Sequence, residues 1–168
     1  ILSARGASMI ARKDIFWKLE GFDKEFFATF EDVDIGWRAW ISGYKVVIVP
    51  KSVVYHIGSQ TIKEINSLVR FHGIKNSLIL RLTNFEFFNA SKSIMVLFFV
   101  IMMRKIFRVA VIRDPEVGLP SPSFGAIIKG VGWILKHSKY IIAKRSKVNS
   151  QRVCSTRDLI NKGIITKY

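Results

Sequence analysis

The stretch that decides the fold is FFATFEDVDIGWRAW, Phe26–Trp40. It holds three carboxylates within four residues, bracketed by aromatic side chains: Glu31, Asp32 and Asp34. Like charges this close repel one another, and apolar surroundings make ionisation harder. Acids in a first turn suit the positive end of a helix dipole, and glycine suits the position after a helix. The pattern therefore predicts a helix from about Glu31 to Ser42, ended by Gly43.

The acids at the start of this helix allow two interpretations. A carboxylate at a helix N-terminus beside apolar rings can accept a proton from a hydroxyl nucleophile. Alternatively, the acids simply stabilise the first turn of the helix. Asp34 and Arg38 are four residues apart, so they can pair on one helix face and relieve part of the repulsion. The residues alone leave both interpretations open.

The chain has 168 residues and a formal net charge of +15, which suits one basic domain of ordinary size. Residues 1–59 contain 8 Lys+Arg and 7 Asp+Glu, whereas residues 60–168 contain 19 and 5. The second part therefore carries a net +14 and favours an anionic partner. A lipid surface fits better than nucleic acid, because the cations alternate with aliphatic runs and no nucleic-acid-binding motif is present. A single cysteine, Cys154, excludes an internal disulfide.

The sequence pattern of residues 1–60 is typical of a compact α/β domain. GASMIAR predicts a strand that leads into a short helix, DIFWKLE. After the acidic helix, YKVVIV and SVVYHIG are β-branched runs separated by the turn PKS. Such runs predict two further strands.

Residues 61–113 predict helices, the second of which has an apolar core at Ile94–Met103. A membrane-spanning helix needs about 20 apolar residues. Extending the segment to Ile112 brings in three cations, Arg104, Lys105 and Arg108. The preferred interpretation of residues 94–112 is a helix lying in the membrane interface, or a re-entrant helix, with a buried core helix and a full span as alternatives.

The remainder divides at a linker. Residues 114–125 form a connector rich in Pro, Gly and Ser. Residues 126–168 predict a basic amphipathic helix and a tail, because isoleucines recur at helical spacing with lysines between them.

Five phrases in order give a family likeness: GASMIAR, GFDKEFF, FEDVDIGWRAW, GYKVVIVP and VVYHIGS. Together they resemble the second half of the catalytic domain of family 2 glycosyltransferases, above all the rhamnosyltransferase-like branch. The likeness is close over residues 1–60 and looser over residues 61–150. It implies an α/β fold class, namely a partial GT-A domain on the acceptor side, followed by a helical, basic, amphipathic C-terminal region.

The resemblance also implies an inverting transfer of a sugar from a nucleotide-sugar donor to a saccharide or lipid-linked acceptor. Asp32 falls at the position of the general base, and Glu31 is the neighbouring acid that positions it. Further site-shaping residues on the acceptor side are implied at Asp34, Trp37, Arg38, Gly6 and Ala7. For Gly6, a tight entry into a strand that needs a small residue is an equally good explanation.

A divalent cation, Mg²⁺ or Mn²⁺, is expected as cofactor from the same resemblance. His56 falls where some family members bind the metal, although a structural histidine is the simpler alternative. Gly58 and Ser59 then offer donors to the donor phosphates. Most of the metal ligands expected in this family lie in a half that this sequence does not contain.

That missing half would bind the nucleotide, so the sequence predicts a fragment or one part of a split enzyme that is inactive alone. The first residue, Ile1, is not methionine, which agrees with that expectation. The expected partners are a nucleotide-sugar donor, the acceptor, an anionic membrane surface and a separate N-terminal half. The expected location is cytoplasmic, peripheral at the inner face of the cell membrane. The alternative is a non-enzymatic module that binds membrane surfaces.

Overall fold

The structure, a computed structural model, describes residues 1–27, 29–56, 66–106 and 124–165. These residues form a single 3₁₀ turn, Gly6–Ser8, and seven α-helices. The helices are α1 Lys13–Lys18, α2 Glu31–Ile41, α3 Asn66–Asn84, α4 Phe87–Ile106, α5 Phe124–Lys136, α6 Ser138–Ser150 and α7 Thr156–Asn161.

The prediction of an α/β fold, and with it a partial GT-A domain, is wrong. Across the described ranges there are helices and no β-strand. Residues 45–49 and 52–56, although rich in β-branched side chains, have no regular secondary structure. A β-strand forms only where its backbone N–H and C=O groups make hydrogen bonds with those of a neighbouring strand. GASMIAR likewise contributes the 3₁₀ turn rather than a strand.

Helix α2 is confirmed at the predicted place and is the best-buried element of the first part. From Asp34 to Ile41 every residue is buried. Gly36 lets the N-terminal segment approach this helix closely, because a Cβ there would lie 2.6 Å from Ser3 Cβ and 2.7 Å from the Leu2 carbonyl oxygen. Gly43 follows the helix with φ +85°, which glycine adopts without strain.

Helix α3 is the centre of the packing, since it contacts α2, α4, α5 and α6. The main core joins residues from both ends of the chain: Phe26, Trp37, Trp40, Ile41, Ile79, Leu80, Phe85, Ala90, Ile141, Val148 and Leu159. Backbone N–H groups of Val153 and Cys154 donate to the Ile41 carbonyl, at 2.6 and 3.0 Å. The C-terminal segment is thereby fixed to the end of α2.

The predicted basic amphipathic helix is divided into α5 and α6 around His137. Part of its apolar stripe is buried, because Ile141 lies in the main core, whereas Ile142 is exposed. Helix α7 begins with a capping box between Ser155 and Asp158. None of the helices in the described ranges is both long and apolar enough to cross a bilayer.

Candidate functional site

The acidic start of α2 lies at the surface end of an otherwise buried helix. Glu31 and Asp32 are half-buried, whereas Asp34, two residues further, is completely buried. The first turn therefore separates its acids into two groups. Glu31 and Asp32 are accessible to solvent, and Asp34 belongs to the interior.

The 3₁₀ turn near the N-terminus lies directly beside Asp32. The backbone N–H of Gly6 donates to Asp32 Oδ2 at 3.0 Å, and the Val33 N–H donates to Oδ1 at 2.7 Å. A Cβ on Gly6 would lie 3.8 Å from Glu31 Oε1. Gly6 and Ala7 are exposed. The structure thus brings together Gly6, Glu31 and Asp32, three of the predicted site residues, although 26 residues separate Gly6 from Asp32.

The two acids have different electrostatic surroundings. Burial raises the pKa of Glu31 above its usual range, and the nearby Asp32 charge raises it further. Glu31 Oε2 is buried and has no hydrogen-bond partner in the described part of the chain. Asp32 accepts two backbone hydrogen bonds while remaining half-exposed. A carboxylate with about four lone pairs keeps acceptor capacity for an incoming hydroxyl.

The backbone just before α2 is strained. Thr29 and Phe30 have φ angles of +85° and +67°, a region that L-residues other than glycine seldom adopt. Helix α3 holds this turn in place, since Asn76 Nδ2 donates to the Thr29 carbonyl oxygen at 2.8 Å. Lys75 Nζ donates to the Glu25 carbonyl oxygen at 2.5 Å. Strain of this kind occurs at functional sites and persists only where surrounding contacts enforce it.

Asp34, Trp37 and Arg38 lie in the interior, where their described contacts are structural. Asp34 accepts from Arg38 Nε at 2.8 Å, Asn84 Nδ2 at 3.1 Å and Lys144 Nζ at 3.1 Å. Arg38 also donates to the backbone carbonyls of Leu19 and Gly21. Trp37 packs edge-on against Phe85, with ring centroids 4.5 Å apart. A role for these three residues on the acceptor side stays a prediction.

Sequence reasoning missed the buried polar network that joins α6 to the first part of the chain. Tyr140 Oη and Lys144 Nζ donate to Asp23 Oδ2 at 2.5 and 2.6 Å. Burial alone would raise the pKa of Asp23, but the Lys144 ammonium and these hydrogen bonds hold it below its usual value. The network lines a cavity of about 320 Å³. The sequence gives only a weak signal for this network, because Lys144 has the same pattern as the lysines expected on the solvent-facing side of the basic helix.

Of the predicted metal and phosphate residues, only His56 lies within the part of the chain that the structure describes. His56 is exposed in a segment without regular secondary structure, and Gly58 and Ser59 lie outside the described residues. Among the residues that the structure describes, no group of three or more His, Cys, Asp or Glu side chains could hold a metal ion. A role for His56 in binding a divalent cation stays a prediction, and the chemistry proposed below does not depend on a cation.

Comparison with known proteins gives one partial likeness. Over 51 residues the chain is 37% identical to an N-acetylglucosaminyl-diphospho-decaprenol L-rhamnosyltransferase, found in two strains of Mycobacterium tuberculosis. The matched stretch is 30% of this chain and 17% of each relative. No protein-family profile matches the chain, and no solved structure matches it. The chain thus has a glycosyltransferase-like relationship that covers a small part of the relatives.

Proposed function

We propose that this chain carries the acceptor-activating part of a glycosyltransferase that moves a sugar from a nucleotide-sugar donor to a saccharide or lipid-linked acceptor. The observation that carries the proposal is the hydrogen bond from the Gly6 N–H to Asp32 Oδ2 at 3.0 Å. It joins two separate parts of the sequence that the family likeness had marked. The named activity of the relatives, rhamnosyl transfer to a diphospho-decaprenol lipid, supports the lipid-linked acceptor.

In the proposed step, Asp32 accepts the proton of the acceptor hydroxyl. The hydroxyl oxygen attacks the anomeric carbon of the donor sugar, and the nucleoside diphosphate leaves with the bonding electrons. Two backbone amides hold the Asp32 carboxylate in one orientation, which is what a general base requires. Glu31 is the neighbouring acid, and its role in this step is to help position the reacting groups rather than to take the proton.

The experiment is a transfer assay on the protein as cells produce it, together with any partner chain, with labelled nucleotide sugars and a lipid-linked acceptor. Asp32→Asn should lower the transfer rate by about 10² to 10⁴, the usual contribution of a general base, with donor binding unchanged. The matched control is Asp14→Asn, an exposed carboxylate on α1 paired with Arg12, which should transfer at the wild-type rate. Undiminished transfer by Asp32→Asn would remove Asp32 from the mechanism, and absence of transfer from every donor tried would overturn the function.

A further inference from the structure

Helix α4 presents one apolar face to solvent. Four large side chains, spaced seven, four and three residues apart, lie along it: Phe88, Met95, Phe99 and Met102, with exposed fractions of 86%, 70%, 57% and 54%. This spacing places them on one side of a helix. From Phe88 to Met102 the face is about 21 Å long, at 1.5 Å per residue. Exposed Ser91 and Lys92 lie on the same side between Phe88 and Met95, and a largely apolar face of this length indicates an interaction surface.

The opposite side of α4 is fixed to the rest of the fold. Ala90 and Ser93 are buried, and Ser93 Oγ accepts a hydrogen bond from Arg81 Nε of α3 at 3.0 Å. At the N-terminal end, Glu86 accepts from Asn89 of α4 at 3.0 Å and from the Thr156 backbone of α7 at 3.2 Å. The exposed face therefore belongs to a helix that is already packed.

The charge around this face indicates its partner. Helix α4 contains Lys92, Arg104 and Lys105 and no acidic residue. Residues 60–168 carry a net charge of +14, from 19 basic and 5 acidic residues. A second copy of the chain would bring two such fields together and be repelled, whereas an anionic bilayer attracts them. Lysine can bury its carbon stem in the interface and keep its ammonium among the headgroups.

We propose that α4 binds the surface of an anionic bilayer, with Phe88, Met95, Phe99 and Met102 inserted at the boundary between headgroups and acyl chains and the helix parallel to the membrane. Its interior side stays on α3, so binding requires no rearrangement of the core. The proposal deepens the proposed function, since it names the surface from which a lipid-linked acceptor is reached. Binding to vesicles needs neither donor nor acceptor, so its failure would be distinct from a failure of sugar transfer.

The test is co-sedimentation of the full chain with phosphatidylcholine vesicles, with and without an equal share of phosphatidylglycerol. Wild type should bind the anionic vesicles and bind the neutral ones much more weakly. Phe88→Ser combined with Phe99→Ser should weaken binding about 100-fold, at roughly tenfold for each lost ring. Phe99→Trp should retain binding, which separates loss of the apolar ring from damage to the helix.

The matched control is Trp17→Ser, which removes a similarly exposed aromatic ring, 64% accessible, from α1. It should bind vesicles like wild type, and circular dichroism should show equal helix content for every variant. Three results would overturn the proposal. The first is equal binding to neutral and anionic vesicles, and the second is full binding by the double serine variant. The third is that light scattering shows wild type as a dimer and the double serine variant as a monomer, while neither protein binds vesicles.

Discussion

Helix α2 and the arm that follows it, residues 47–56, lie close in sequence but differ in burial. Both are rich in large apolar side chains. In α2 every residue from Asp34 to Ile41 is buried. In the arm every residue is exposed, with Tyr55 at 96%. The two regions differ in their packing partners. Helices α3 and α6 and the N-terminal segment all contact α2. Within the described backbone, the arm has only its own turn hydrogen bond, from the Ser52 N–H to the Val49 carbonyl.

The largest loss of stability is expected when the buried Asp34 carboxylate of α2 is removed. Asp34→Ala leaves Arg38 and Lys144 buried without their shared carboxylate. Breaking a buried ion pair by deleting one partner costs about 3–5 kcal/mol. Chemical denaturation should show that loss in the free energy of unfolding. Asp14→Ala is the control on an exposed carboxylate, and an equal stability for the two variants would show that the buried network contributes nothing.

A smaller loss is expected where the N-terminal segment meets α2. In an ordinary helix, replacing glycine by alanine stabilises by about 1 kcal/mol. At Gly36 the new Cβ would overlap Ser3 and the Leu2 carbonyl, so Gly36→Ala should destabilise by about 1–3 kcal/mol. The thermal midpoint measures the sign directly. A stabilised Gly36→Ala variant would mean that the N-terminal segment does not lie on α2.

Ionisation of Glu31 should change the free energy of unfolding by a smaller amount, which depends on pH. Because its folded pKa is raised above the ordinary 4.5, the folded state holds the proton more tightly than the unfolded state. Stability therefore falls as pH rises from about 4.5 through the folded pKa. Glu31→Gln cannot ionise, so its free energy of unfolding should exceed that of wild type above this window and equal it below. Parallel pH profiles for the two proteins would contradict the assigned surroundings of Glu31.

The smallest change in stability is expected for a substitution in the arm. Ile48 is 66% exposed, so Ile48→Ala should change the free energy of unfolding by no more than about 0.5 kcal/mol. The same substitution at Ile41, 1% exposed in α2, should cost about 2–5 kcal/mol. Denaturation of the two variants side by side compares one residue type in the two regions. A large loss at Ile48 would reveal a partner for the arm.

Local signals predicted α2 well and the arm badly. The acids, the apolar spacing and Gly43 are all within one segment, and they define a helix from Glu31 to about residue 41. A β-branched run defines only an extended backbone, since the sheet depends on a strand elsewhere. The predicted strands therefore failed in the absence of a neighbour among the described residues.

The candidate site was predictable only in part. The family likeness marked Gly6 and Asp32, and the structure places them in contact. It gave no sign of the strained residues Thr29 and Phe30, or of their support by Asn76. The contact between Tyr140 and Asp23 spans 117 residues, and no local pattern encodes such a pairing.

The most direct measurement of the central claim is the transfer rate of Gly6→Pro against Gly6→Ala, in the protein as cells produce it. Proline removes the N–H that orients Asp32 and suits the first position of a helical turn, whereas alanine keeps the N–H and has room, with its nearest neighbour at 3.8 Å. A hydrogen bond to a charged group contributes about 1.5–3 kcal/mol, so Gly6→Pro should be about 10- to 100-fold slower than Gly6→Ala. Equal rates for the two variants would contradict the claim that this turn orients the base.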